Sequence, residues 1–248
     1  MVDIEKYNIS QLRDMFLNAS PFNHIVIDDF LDTTLAKEIE LELRNMSQDK
    51  WINKESSCGC RNLKQSDNYT DTNKFSLNIH NNPNSEKTKQ VIDLFSSPNI
   101  IKFIEDITSI YDLYSDETLL EGGVHKTTTN GNVSVHCDFG THPETQKYRR
   151  ISLVLYLNSD WKPEYNGCFE LWDRHKENCD KKIEPISNRL LIFKITDPSL
   201  HGNTEKWLAP EDYPKLSLDL YYYTDHIPQY EINNFNWSML LKKEGVFR

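Results

Sequence analysis

The sequence predicts a mainly β protein with N-terminal helices, on three observations. From about Leu119 the chain breaks into short β-rich segments separated by turn residues. Before that point, two stretches carry apolar residues at helical spacing. The 248 residues are enough to bury the core of one domain that includes both parts. Many short strands at regular intervals read as an all-β sandwich or barrel, with the helices as a supporting layer.

The elements follow in chain order. "FNHIVIDDFLD" opens with a strand-like alternation, Ile25 and Ile27 against Val26 and Asp28. Asp32 is placed to cap a helix through "TTLAKEIELELRNM", on which Leu35, Ile39 and Leu43 share one face. Residues 49 to 85 are polar and rich in Asn, Ser and Lys, and read as loops with a short strand or two. A helical patch begins near Glu86. It ends at "SSP", where Ser97 as N-cap and Pro98 at the first helical position start another helix with an Ile100, Ile104, Ile107 stripe. The strands expected next are "TLLEGGVHK", "NVSVHCDF", "RRISLVLYLN", "GCFELWD", "KIEPI", "RLLIFKI" and "LSLDLYYYT". Between them lie Asn130-Gly131, read as a hairpin, Asn166-Gly167, Ser187-Asn188 and His201-Gly202-Asn203. Tyr156, Tyr221, Tyr222 and Tyr223 suit half-buried sheet faces. One domain is expected over 1–248, with helical support in 1–115, a β core in 116–226 and a C-terminal extension in 227–248.

Composition excludes several classes. The formal charge of −10 disfavours binding to a phosphate backbone; the one tight basic cluster is Lys147, Arg149 and Arg150. No apolar run reaches membrane-helix length, and "MVDIEKYNIS" lacks the basic and apolar regions of a signal peptide, so a cytoplasmic location is the expectation. Five cysteines, an odd and sparse set, do not make a disulfide framework. Cys58 and Cys60 form a C-x-C with no second pair at zinc-finger spacing, and read as reduced loop thiols.

Chemistry concentrates in "NVSVHCDFGTH". On a strand, His136 and Asp138 point to one face and would supply two members of the two-histidine, one-carboxylate facial triad of non-haem iron(II) sites. The spacing alone is weak, because His142-Pro143-Glu144 and His175-Lys176-Glu177 repeat it. Context separates them: His136 and Asp138 follow an apolar run, whereas His142 and His175 lie in polar surroundings and are expected to be solvated. The third ligand has four candidates, His125, His175, His201 and His226, with His201 modestly ahead.

Taken together and in order, "FNHIVIDDFLD", "LLEGGVHKTTTNGNVSVHCDF", "RRISLVLYLNSDW", "NGCFELWD", "EPISNRLLIFKITDPSLHGN" and "KLSLDLYYYT" resemble the iron(II)- and 2-oxoglutarate-dependent dioxygenases of the prolyl 4-hydroxylase-like group. The resemblance spans roughly residues 20 to 225. It implies a double-stranded β-helix, a jelly-roll or cupin-like barrel, as the catalytic core of 116–226. The family's H-x-D and distal histidine map onto His136, Asp138 and His201, and its basic residue near the start of the last core strand maps onto Lys215. Relatives of this block arrangement usually carry Arg in an R-x-S context. Here it is Lys215-Leu216-Ser217, a point donor in place of a bidentate fork. Cys168 stands where relatives often have a second glycine.

The implied cofactors are iron(II) and 2-oxoglutarate, with O₂ as co-substrate and ascorbate as a reductant. The implied reaction hydroxylates an unactivated C–H bond, of a prolyl or other peptidyl or amino-acid substrate, with release of succinate and CO₂. Lys215, which on composition alone reads as a surface lysine, would neutralise the distal carboxylate of 2-oxoglutarate. Ser152, Tyr156 and Thr128 are candidates for a hydroxyl facing the same carboxylate. Arg149, Arg150 and His125 are candidates for substrate contact, the arginines alternatively for pairing with acidic loops. Asp138 argues against a halogenase, whose site replaces the carboxylate with a small residue. The competing classes are a cupin-type isomerase or hydrolase and a non-enzymatic ligand-binding barrel. The first would bind water, not a keto acid, and needs no lysine beyond the distal histidine; the intact triad argues against the second.

Overall fold

In "KLSLDLYYYT" apolar and polar residues alternate, and a strand so patterned must separate two environments. In the computed structural model it does so as β11 (Lys215–Thr224), a central strand of the main sheet. Leu216, Leu218, Leu220 and Tyr222 pack outward against the helices, while Lys215, Ser217, Asp219 and Tyr221 line an interior cavity. The structure describes residues 2–54, 71–77, 79, 82, 85–175, 177–196, 199–229 and 231. Cys58, Cys60 and most of the expected C-terminal extension lie outside the described residues.

The main sheet is antiparallel. Its order is β1 (His24–Ile27), β9 (Leu190–Lys194), β6 (Tyr148–Tyr156), β11, β5 (Gly123–His136), β3 (Thr72–Leu77) and β2 (Trp51–Asn53), with β4 (Tyr114–Ser115) beside the end of β11. A smaller sheet of β10 (His201–Asn203), β7 (Phe169–Trp172) and β8 (Cys179–Ile183) continues from the end of β5 and curls over the inner face. The curled antiparallel sheet matches a double-stranded β-helix. Val154, Tyr156, Phe169, Leu171, Ile183, Leu191, Phe193 and Ile195 form the apolar layer inside it. A second, larger layer joins the outer face to the helices α1 (Ile9–Leu17), α2 (Thr33–Arg44), α3 (Glu86–Phe95) and α4 (Pro98–Thr108). Among the described residues, no helix is long and apolar enough to cross a membrane.

The helix signals behave as their chemistry requires. The Asp32 carboxylate accepts from Thr34 N at 3.0 Å and Leu35 N at 3.2 Å, and Leu35, Ile39 and Leu43 are buried. Pro98 opens α4, whose Ile100, Ile104 and Ile107 are buried. Ser97 is its N-cap residue, but the hydroxyl donates backward to Leu94 O at 2.6 Å and caps nothing.

Two expectations are corrected. Asn130-Gly131 is not a hairpin turn. β5 runs through it in one direction, and the pairing with β3 slips there, from Lys74 opposite Thr127 to Thr72 opposite Asn132. Asn130 takes a positive φ of 66°, and a Cβ on Gly131 would meet Thr127 Cγ2 at 2.5 Å. This is a bulge that bends the strand from one sheet into the other. His201-Gly202-Asn203 is not a turn either. It is β10, with His201 paired to both His136 and Leu171.

Candidate metal and co-substrate site

The bend in β5 carries His136 to the strand's end, beside His201 of β10. Asp138 lies two residues beyond the strand, so the pair is not held by strand alternation, yet its carboxylate turns back to both imidazoles. His136 Nε2 and His201 Nε2 each lie 3.7 Å from Asp138 Oδ1. One ligand atom from each of the three residues falls within 4.8 Å of the others, a spacing that could hold one metal ion.

Both rings are oriented by backbone. His136 Nδ1 lies 2.8 Å from Ser134 O, and His201 Nδ1 lies 2.9 Å from Ser199 O. A carbonyl only accepts, so Nδ1 carries the proton and the Nε2 lone pairs are left for a metal. His201 is wedged between the rings of Phe169, stacked at 5.2 Å, and Phe193, edge-on at 4.9 Å. Burial, then the neighbouring His136, lowers the His201 pKa to about 4, so it stays neutral. Burial alone would raise the Asp138 pKa, but His201, Arg149 and His136 outweigh it and hold the carboxyl below its ordinary value.

Lys215, the first residue of β11, lies in the same cavity and pairs with Thr127 of β5. It is buried, and Nζ donates to Gly167 O at 3.3 Å. Burial lowers its pKa to about 8, against a smaller opposing pull from Asp219. Gly167 is required here: φ is +76°, and a Cβ would stand 2.5 Å from Trp207 Cε3 and 3.4 Å from Lys215 Cδ. Tyr156 lies across from Ser217 in the neighbouring strand, behind the residues that line the cavity, and its buried hydroxyl has no hydrogen-bond partner among the described residues. A buried ammonium with one long bond and an unpaired hydroxyl fit a carboxylate-bearing co-substrate, whose oxygens only accept.

The other expected residues separate. Ser152 and His125 line the cavity. Thr128 does not; Thr127 does, because it is the residue paired with Lys215, and the adjacent position points away. Arg149 is buried, its guanidinium 3.9 Å from the Tyr221 ring centre and its Nε donating to Tyr223 Oη at 3.1 Å. Arg150 pairs with Glu231 at 2.9 Å and donates to Thr224 Oγ1 at 3.3 Å, the acidic pairing named as the alternative. His142 corrects an expectation. It is 2 % exposed, not solvated: Nδ1 accepts from Glu144 N and Thr145 N, Nε2 faces Asp116 and Thr118, and the ring meets Tyr223 edge-on. His175 and His226 are exposed, and neither joins the cluster. Cys168, in the glycine position, is half-buried, and its carbonyl accepts from Asn203 Nδ2 at 2.6 Å. Lys74, Ser217 and Asp219 line the cavity without having been singled out in the sequence, although for the last two the alternation from Lys215 is the signal.

Residues 122–223 match the family model described as the 2OG-Fe(II) oxygenase superfamily. Among solved structures, a prolyl hydroxylase from Trichoplax adhaerens, in complex with a hypoxia inducible factor peptide fragment, is 17% identical. That match covers 88% of this chain and 91% of the other with a TM-score of 0.61. HygX from Streptomyces hygroscopicus, with nickel, 2-oxoglutarate and hygromycin B bound, is 10% identical over 88% of this chain and 89% of its own, with a TM-score of 0.57. A Pseudomonas putida prolyl-4-hydroxylase is 15% identical, over 86% and 98% respectively, at 0.50. These identities speak for a shared fold, and the family match for its chemistry. The matched segment carries all three members of the cluster and the buried lysine; over it the chain is similar to the 2-oxoglutarate- and iron(II)-dependent oxygenases, and its fold is that of the prolyl hydroxylases.

Proposed function

We propose that His136, Asp138 and His201 hold the iron(II) of this dioxygenase and that Lys215, with the Tyr156 hydroxyl, holds the distal carboxylate of 2-oxoglutarate. The observation that carries the assignment is the convergence of two oriented Nε2 atoms and one carboxylate in a cavity that also contains a buried lysine. A water-binding hydrolase or isomerase site has no use for that lysine. Iron(II) and 2-oxoglutarate supply the oxidising power for C–H hydroxylation when bound. This chain's residues supply geometry: the three ligands fix one face of the metal, Lys215 and Tyr156 fix the co-substrate's far end, and Phe169, Phe193 and Val154 keep the pocket wall dry. Thr127, Ser152 and Ser217 add hydroxyls along the same wall.

The primary substrate in this proposal is a peptidyl or other amino-acid group, prolyl residues included. The likeness to a peptide-bound hydroxylase supports the peptidyl case, and the likeness to an enzyme solved with hygromycin B supports a small-molecule one. The test is turnover of 2-oxoglutarate to succinate by the iron-loaded chain, combined with a mass-shift screen of a peptide library. Succinate formation that disappears in His201→Ala supports the assignment. Succinate formation unaffected by that change refutes it.

A further inference from the structure

Two acceptors in the cavity wall are not explained by iron and 2-oxoglutarate. His125 and Asp219 sit on the neighbouring strands β5 and β11, and both line the cavity that holds the metal cluster and Lys215. His125 Nε2 donates to Glu121 O at 3.2 Å, so Nδ1 carries a lone pair. That Nδ1 is buried and meets no donor among the described residues, and Asp219 Oδ1 is likewise buried without one. The nearest approach between the two side chains, His125 Nε2 to Asp219 Oδ2, is 3.9 Å, too long for a hydrogen bond. 2-Oxoglutarate cannot satisfy either atom, because every polar atom it carries accepts.

The charges point the same way. Burial, only partly opposed by Asp219, lowers the His125 pKa to about 4, so the imidazole is neutral and gives Asp219 no counter-charge. Lys74 is answered by Asp71 at 3.4 Å. In the loaded site Arg149 faces Asp138, and Lys215 faces both the co-substrate's distal carboxylate and Asp219. Asp219 thus shares one cation with that carboxylate, and its buried Oδ1 meets no donor among the described residues until the last component arrives.

We propose that His125 and Asp219 form a receiving subsite for a cationic nitrogen group, an ammonium or guanidinium, of the primary substrate. The subsite rests on the assignment of iron and 2-oxoglutarate above, and it narrows the substrate class to molecules with a basic group held near the oxidised carbon. One N–H donates to Asp219 Oδ1 and a second to His125 Nδ1, which a neutral hydroxyl could meet only singly and without the charge.

The test uses the full chain loaded with Mn(II) and 2-oxoglutarate, and two matched probes, butylguanidinium and n-pentanol. Paramagnetic broadening of probe protons reports occupancy near the metal. The expected result is saturable broadening of butylguanidinium, little for pentanol, and a roughly tenfold or greater weakening of the cation in Asp219→Asn, the scale of one charge-assisted bond. His125→Phe gives a smaller loss. Equal broadening of both probes, or a cation preference that survives in Asp219→Asn, overturns the subsite. A change confined to 2-oxoglutarate affinity in Asp219→Asn overturns it too, assigning the carboxylate to the co-substrate pocket. Failure of the wild-type chain to take up Mn(II) with 2-oxoglutarate is a separate result: it removes the underlying assignment, and this inference with it.

Discussion

Lys215→Met separates what the lysine does for function from what it costs the fold. Methionine has similar length and no charge. In the protein without co-substrate, Lys215 is a buried cation whose pKa is lowered from 10.5 to about 8. A group depressed in this way binds fewer protons folded than unfolded between those values, so stability rises with pH through that window. Below about pH 8 the full penalty is present. Two and a half pKa units correspond to at most about 3 kcal/mol, and relaxation around the site makes roughly 1–3 kcal/mol the working range. Lys215→Met is therefore expected to raise Tm at pH 7, by roughly 2–4 °C per kcal/mol in a chain of this size. The gain should shrink as pH is raised from 8 to 10.5. The same change should weaken 2-oxoglutarate strongly, because it leaves a buried carboxylate without its cation. A loss of about 3–5 kcal/mol corresponds to roughly 150- to 4000-fold in Kd. Differential scanning fluorimetry and calorimetric titration of 2-oxoglutarate into the Mn(II)-loaded protein read the two effects. A variant that loses stability at pH 7 while keeping its 2-oxoglutarate affinity would refute the reasoning, since Lys215 would then be a structural cation.

Other perturbations follow from the same geometry. Tyr156→Phe removes a hydroxyl that is buried without a partner, so thermal stability should hold or rise while the Kd for 2-oxoglutarate rises roughly tenfold, read in the same titration. Gly167→Ala forces a Cβ into the Trp207 ring at a positive φ, and should lower stability by roughly 2–4 kcal/mol in chemical denaturation. His125 and His201 are held neutral with pKa values near 4, whereas an unfolded histidine protonates near 6.5. The unfolded chain therefore binds more protons in that window, and stability of the metal-free protein should fall as pH drops from 6.5 to 4. His125→Phe should flatten the Tm-against-pH curve there; an unchanged slope would contradict the assignment of a buried neutral imidazole.

The features legible in the sequence are those whose signal is local. Asp32 and Pro98 mark helix starts through backbone chemistry that no tertiary contact overrides, and the alternation of β11 shows which residues face inward. α1 was not anticipated. Its apolar set includes Met15 and Leu17, which are exposed, and this blurs the stripe that Phe16 alone buries. Asn130-Gly131 carries the composition of a hairpin turn, yet β-bulges use the same positive-φ residues, and only pairing with β3 on one side and β10 on the other distinguishes them. Thr127 and not Thr128 faces the cavity by ordinary alternation with His125, since both precede the bulge. His142 looked solvated from its neighbours in sequence, while its burial comes from Asp116, Thr118 and Tyr223. His201 could be ranked but not fixed by spacing, because its position depends on a three-residue strand written in turn-forming residues.

The most direct test of the account is an anaerobic titration of iron(II) and 2-oxoglutarate into the wild-type chain, followed by visible absorption. The account predicts a weak charge-transfer band that requires both components, is absent in His136→Ala and is strongly weakened in Lys215→Ala. No band in the wild-type chain, or a band that persists undiminished in His136→Ala, would contradict it.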